Sequence, residues 1–330
     1  MEIQPEQPMA AQLDITVGPL REDHLPAADY IMRLAFGTFL GLPEPTSFMG
    51  DAALGWSRWR ADPDAAFGAE IDGKLVGSNF ATNWGSVGFF GPLTIRPDLW
   101  DRGVGKRLME PVMECFSRWR TAHAGLFTFA HSQKHVGLYQ RFGFWPRFLT
   151  AIMSKPVEPA RQASERRMSD WTRFSDIQED ERESTLRTCR ELTDEIYEGL
   201  DVSSEIKAVA TQKLGETVLL WKEAELVGWA VCHFGPRTEA GSGMCYVKFG
   251  AAHPGPAAEQ HFDRLLEACE EMASEAGCLR LAAGMNAARH EAYGVMLKRN
   301  FRTDLQGVTM HRPNEAGYSR AGVYLIDDWR

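Results

Sequence analysis

No apolar run in the 330 residues approaches the ~20 that a bilayer-spanning helix needs, so the chain offers no transmembrane segment. The opening MEIQPEQPMAAQ lacks the basic flank and apolar core of a secretory signal, and residues 1–12 read as a flexible N-terminus. Six cysteines are scattered without a Cys-x-x-Cys pair, which argues against a disulfide framework and a zinc ribbon and fits a reducing, cytoplasmic setting. Basic charge is also in deficit: 36 Lys and Arg face 45 Asp and Glu, giving a net charge of −9 without a basic stripe. Such a balance disfavours nucleic acid as a partner and favours cationic ones. The expectation is a protein with no membrane, metal or nucleic-acid partner, with homodimer formation left open.

Apolar content of 44% and charged content of 25% are those of an ordinary globular protein, and the length suits two domains. The most informative stretch is LTIRPDLWDRGVGKRLMEPVMECF, residues 93–116. A β-type run ends at Arg96-Pro97, a loop turns through Arg102, Gly103, Val104 and Gly105, and an amphipathic helix begins with Lys106 and Arg107. Glycine allows close backbone approach, and the unpaired N–H groups of a first helical turn attract anions, so the device suits a phosphate. A triphosphatase P-loop requires glycine where Trp100 stands and Ser or Thr where Arg107 stands. A dinucleotide fingerprint requires a third glycine where Leu108 stands. Both are excluded. A tight strand-to-helix turn without a ligand is the simpler alternative.

Downstream, GLFTFAHSQKHVGLYQRFGFWP (residues 125–146) reads as a short strand, a short helix and a glycine stop at Gly143. The two stretches together resemble the GNAT acetyltransferase superfamily. The first resembles its pyrophosphate loop, Arg/Gln-x-x-Gly-x-Gly/Ala, with Trp100 at the Arg/Gln position. The second resembles Asn-x-x-Ala-x-x-Leu-Tyr-x-x-x-Gly-Phe, keeping Leu138, Tyr139, Gly143 and Phe144 but placing Ser132 and His135 at the Asn and Ala positions.

The chain repeats itself weakly. Aligning Pro97 with Pro254, an offset of 157 (254 − 97), places Arg107-Leu108 on Arg264-Leu265, Gly137 on Gly294 and Phe144 on Phe301. DGKLVG at 72–77 matches EAELVG at 223–228 with an offset of 151 (226 − 75). The expected fold class is therefore α+β: two tandem GNAT-like domains, each a mixed, mostly antiparallel sheet flanked by helices. Residues 13–154 form the first domain, 155–170 a charged, proline-containing linker, and 171–330 the second. Helices are expected over 24–39 and about 49–60, a β-meander over 67–95 and a closing strand over 148–154. Residues 176–199 carry a helical apolar stripe.

The resemblance implies transfer of an acetyl group from acetyl-CoA to an amine, with the pantetheine arm lying along Leu93, Thr94 and Ile95 like an added strand. It assigns the pyrophosphate to Arg102, Gly103, Val104, Gly105, Lys106 and Arg107, with Ser132 nearby. Gly91-Pro92 predicts a break that splays the sheet there. Tyr139, protonated at neutral pH, is the candidate proton donor to the leaving thiolate. No carboxylate stands on the meander strand as a base. His131 and His135 share a helical face with Tyr139, and His135 is the candidate acceptor of the amine's proton. In the second copy Gln260, Phe262 and Asp263 replace Gly103, Gly105 and Lys106, and Met296 replaces Tyr139, so that copy reads as degenerate. Its expected role is structural, substrate-shaping or dimerising. A non-catalytic acyl-CoA-binding module and transfer of another acyl group are the competing readings.

Overall fold

The computed structural model describes residues 14–158 and 170–330. The expected flexible N-terminus and residues 159–169 of the expected linker lie outside that range. β1 (Thr16–Pro19) leads into α1 (Leu25–Phe39) and α2 (Leu54–Ala61). The meander β2 (Ala66–Ile71), β3 (Lys74–Trp84) and β4 (Val87–Phe90) follows, and then the short β5 (Thr94–Ile95). α3 (Val104–Trp119), β6 (His123–Thr128), α4 (Gln133–Gln140) and β7 (Trp145–Pro156) complete the first half.

The later half repeats this order: β8 (Trp171–Arg173), α5 (Arg182–Ile196), α6 (Ser203–Gln212), β9 (Gly215–Lys222), β10 (Glu225–Gly235) and β11 (Gly241–Ala252). Then come α7 (Ala258–Glu275), β12 (Arg280–Asn286), α8 (His290–Lys298), β13 (Arg302–Arg312) and β14 (Leu325–Ile326). α1 and α5, β6 and β12, α4 and α8, and β7 and β13 all start 157 positions apart (182 − 25, 280 − 123, 290 − 133, 302 − 145). β3 and β10 start 151 apart (225 − 74). β14 has no counterpart in that order.

One helix starts later than its sequence suggests. Residues 45–47 form a 3-10 turn and α2 begins only at Leu54, because tertiary contacts hold the chain in between. Arg33 on α1 donates to the carbonyls of Phe48 and Gly50, and the Asp51 carboxylate accepts from the Ser242 backbone N–H and hydroxyl. Met49 and Gly50 have positive φ, which a helix cannot include.

All the strands described join one 14-stranded sheet, and its order reveals an exchange. The repeat would place β7 beside β6 and β13 beside β12. Instead β13 pairs antiparallel with β6 on one side and β7 on the other, and β7 pairs antiparallel with β12. Each half lends its closing strand to the other. The start of the expected linker, Lys155 and Pro156, is the end of β7.

The core follows the same logic. α3 buries Leu108, Met109, Val112, Cys115 and Phe116, a helical stripe against the first half's sheet. Another cluster joins Trp84, Val87 and Phe89 of the first half to Trp229, Phe249 and Trp329 of the later one. All six cysteines are buried and free. Among the described residues no helix is long and apolar enough to cross a membrane, and no group of His, Cys, Asp or Glu is arranged to hold a metal ion.

Candidate active site

The sheet opens where Gly91-Pro92 interrupts it. β4 runs parallel to β6 as far as Phe89 opposite Gly125, but β5 pairs only with β3, through Ile95 with Gly77 and Thr94 with Ser78. The other edge of β5 is left unpaired beside α3 and α4. A cleft of about 720 Å³ fills this opening.

Of the residues singled out in the sequence, Leu93, Thr94, Ile95, Gly103, Val104, Gly105, Lys106, Ser132, His135 and Tyr139 all line this one cleft, whereas Arg102 and Arg107 do not. Arg102 is exposed on the outside of the loop, and Arg107, one helical position past the cleft, lies 3.6 Å from Glu110. Lys106 is therefore the loop cation facing the space.

The two loop glycines do different work. Gly103 has φ of 84° and caps α3 in the left-handed conformation, with open space where a side chain would be. Gly105 is needed for packing: a Cβ there would come within 3.2 Å of Ile95 and of Leu138, so its absence lets α3 lie against β5 and α4. The first-turn amides of α3, which have no intrahelical acceptor, consequently end at the cleft. Trp100, standing where the resemblance puts Arg or Gln, donates from Nε1 to the Ile95 carbonyl at 3.0 Å and ties the loop to β5. Lys134 also lines the cleft, and its charge is held by Asp101.

α4 lines the other end of the cleft. Ser132 caps it by accepting from the His135 amide, and Gly143, with φ of 83°, ends it before the fully buried Phe144. Tyr139 is buried against Phe90, ring centroids 5.5 Å apart, and its hydroxyl bonds to no other described residue. Burial raises its pKa, so the phenol keeps its proton at neutral pH. His135 stands four residues away, its ring 5.1 Å from Phe39. Burial first, then the charges of His131 and Lys134, hold its pKa below the ordinary 6.5, so at neutral pH it is an uncharged acceptor. Phe36 and Phe39 of α1 also line the cleft. Sequence reading took α1 as a plain helix; only its packing over the opening makes those rings part of the site.

One cleft thus brings together the first-turn amides of α3, an unpaired strand edge and the Tyr139 phenol. The acetyltransferase (GNAT) family model matches residues 30–144, the segment that builds this cleft. Residues 30–144 are a GNAT acetyltransferase domain. Family members use acetyl-CoA. No curated protein matches the chain. Among solved structures, a Pyrococcus horikoshii protein described as a candidate acetyltransferase is 13% identical, with a TM-score of 0.65 over 98% of this chain and 97% of that one. A GCN5-related N-acetyltransferase from Sphaerobacter thermophilus is 12% identical, with a TM-score of 0.55 over 90% and 95%. One from Anabaena variabilis is 11% identical, with a TM-score of 0.51 over 93% and 75%. At such identities the likeness is one of fold, and it extends over both halves.

The later half of the chain treats the same opening differently. Phe262 is fully buried in α7, Asp263 pairs with Arg299, and Met296 is a core residue. The positions equivalent to Thr94 and Ile95 are Ala251 and Ala252 (94 + 157, 95 + 157). There β14 pairs with β11, Leu325 opposite Ala251 and Ile326 opposite Gly250. The chain's own strand thus occupies the edge that β5 leaves open, and Asp328 packs onto Gly284 of β12.

Proposed function

We propose that this protein is an N-acetyltransferase that moves the acetyl group of acetyl-CoA onto the amine of a small molecule, with the first half as catalyst. One observation carries the reading: the loop amides, the open β5 edge and the unbonded Tyr139 hydroxyl all face a single cleft. The pyrophosphate is assigned to the amides of residues 103–106 with Lys106, and the pantetheine arm to the edge of Leu93, Thr94 and Ile95. The amine nitrogen, its ammonium proton given up to solvent, attacks the thioester carbonyl carbon. The carbon–sulfur bond then breaks, sulfur takes its electron pair together with the Tyr139 proton, and the proton lost by nitrogen passes to His135. The products are the N-acetyl amine and coenzyme A.

The test pairs binding with turnover. Acetyl-CoA raises the melting temperature of the wild type and of Tyr139→Phe alike, because the phenol oxygen holds nothing in place. Thiol release across an amine panel falls by about 10²-fold in the variant, the scale of a lost general acid. A thermal shift without thiol release from the wild type would make the protein a non-catalytic acyl-CoA-binding module instead.

A further inference from the structure

A second cavity, of about 330 Å³, lies where the two halves meet, and the donor cleft does not use it. Its floor is the free edge of β3: the pairing of β2 with β3 stops at Ala66 opposite Phe80, so residues 81–84 have a strand only on the β4 side. α2 contributes Arg58 and Asp62, α6 and the turn before it Asp201 and Glu205, and β10 and β11 His233 and Lys248.

The cations in this wall are already neutralised. Arg58 donates to both carboxylate oxygens of Glu239, at 3.1 and 2.8 Å, and Lys248 lies 2.9 Å from both Glu205 and Glu239. Two positive charges thus cancel two negative ones. Asp62 and Asp201 are left over, and among the described residues neither is in an ion pair. His233 is 1% exposed, and neither of its ring nitrogens has a hydrogen-bond partner. A buried imidazole without a partner is costly unless something polar enters to meet it. The unmet demand is for positive charge at the two aspartates and for a group that can both accept from and donate to His233.

The cavity also abuts the break in the sheet. Ala81 lines it and pairs with Phe90, whose ring packs on Tyr139. Arg58 Nη1 donates to the Gly91 carbonyl at 2.5 Å, at the point where β4 parts from β5. The cavity wall therefore includes both the strand pair that carries Phe90 and the guanidinium bound at the break.

We propose that this cavity is the acceptor site and that it takes a small cationic amine, drawn by Asp62 and Asp201 and oriented by a polar group hydrogen-bonded to His233. The proposal rests on the acyl-transfer reading and adds the class of acceptor.

The test measures thiol release from acetyl-CoA with putrescine, ethanolamine, tyramine and glucosamine, alongside the thermal shift with acetyl-CoA alone. At least one of these amines is turned over by the wild type. The Asp62→Asn, Asp201→Asn double variant raises that amine's KM tenfold or more while the acetyl-CoA shift is unchanged. Ala208→Trp, which fills the cavity from α6, raises it similarly, and the same shift verifies that the variant is folded. An unchanged amine KM in both variants overturns the cavity assignment and leaves acetyl transfer standing. Binding of acetyl-CoA with none of the four amines turned over overturns the cationic class. No shift with acetyl-CoA in the wild type overturns the underlying reading, and the proposal with it.

Discussion

Gly105 and His135 show how single residues set this site. Replacing Gly105 with glutamate forces a side chain against Ile95 and Leu138 and brings a carboxylate beside the phosphate position, so Gly105→Glu should lose the acetyl-CoA thermal shift entirely. An unchanged shift would reject the loop as the donor site. His135 has its pKa lowered by burial, with His131 and Lys134 adding to the effect. If it accepts the amine's proton, kcat at saturating amine stays level through neutral pH and drops only below the ordinary imidazole value of 6.5, where the ring protonates. His135→Gln should remove that acid limb and lower the plateau by about 10². A variant profile that overlays the wild type would take His135 out of the mechanism.

Among the elements, β5 and β14 decide how many such strand edges stay open. β5 keeps one edge free because the chain breaks at Gly91-Pro92 and turns away from β6. The corresponding edge of β11 is taken by β14, an internal strand whose binding needs no translational entropy to be given up. Calorimetric titration with acetyl-CoA should therefore saturate at one molecule per chain, and two would mean that β14 leaves its groove. Tyr318, Asp327 and Trp329 anchor this segment: Trp329 donates to the Tyr318 hydroxyl at 3.0 Å, and the Tyr318 hydroxyl bonds Asp327.

For the whole molecule, the exchange of β7 and β13 makes the halves mutually dependent. A fragment of residues 1–158 would expose the β6 edge that β13 covers and leave β7 without either neighbour. Residues 1–158 and 159–330 expressed separately should be insoluble or unfolded and should recover a folded complex only when co-expressed. A soluble, cooperatively melting fragment would count against this. pH reports on the same junction. His123 of β6 and His311 of β13 lie 3.0 Å apart and are buried, which lowers their pKa values from 6.5 to about 4 and about 3. Below pH 6.5 the unfolded chain gains protons that the folded one cannot, so stability is full above 6.5 and declines as pH falls toward 4. Denaturant midpoints across that range should decline, and His311→Gln should flatten the slope.

Much of this was legible in the letters because it is local. The strand, loop and helix around Gly103 and Gly105, the capped helix bearing Tyr139, and the repeat at 157 positions all follow from spacing and side-chain type within a few dozen residues. The start of α2 was not, since Arg33 and Ser242 hold the preceding residues from far along the chain. Neither was the strand exchange: β7 and β13 have equivalent patterns, and either order satisfies the same alternation, so only the packed sheet chooses between them. The outward turn of Arg102 and Arg107, the closure of Phe36 and Phe39 over the cleft, and the unpaired His233 are likewise properties of three-dimensional neighbours. By itself the sequence determined where a strand, a glycine loop and a helix start follow one another. Tertiary structure alone decided that one such opening stays free while its twin is filled, because an edge is open or occupied only by virtue of what the rest of the chain brings to it.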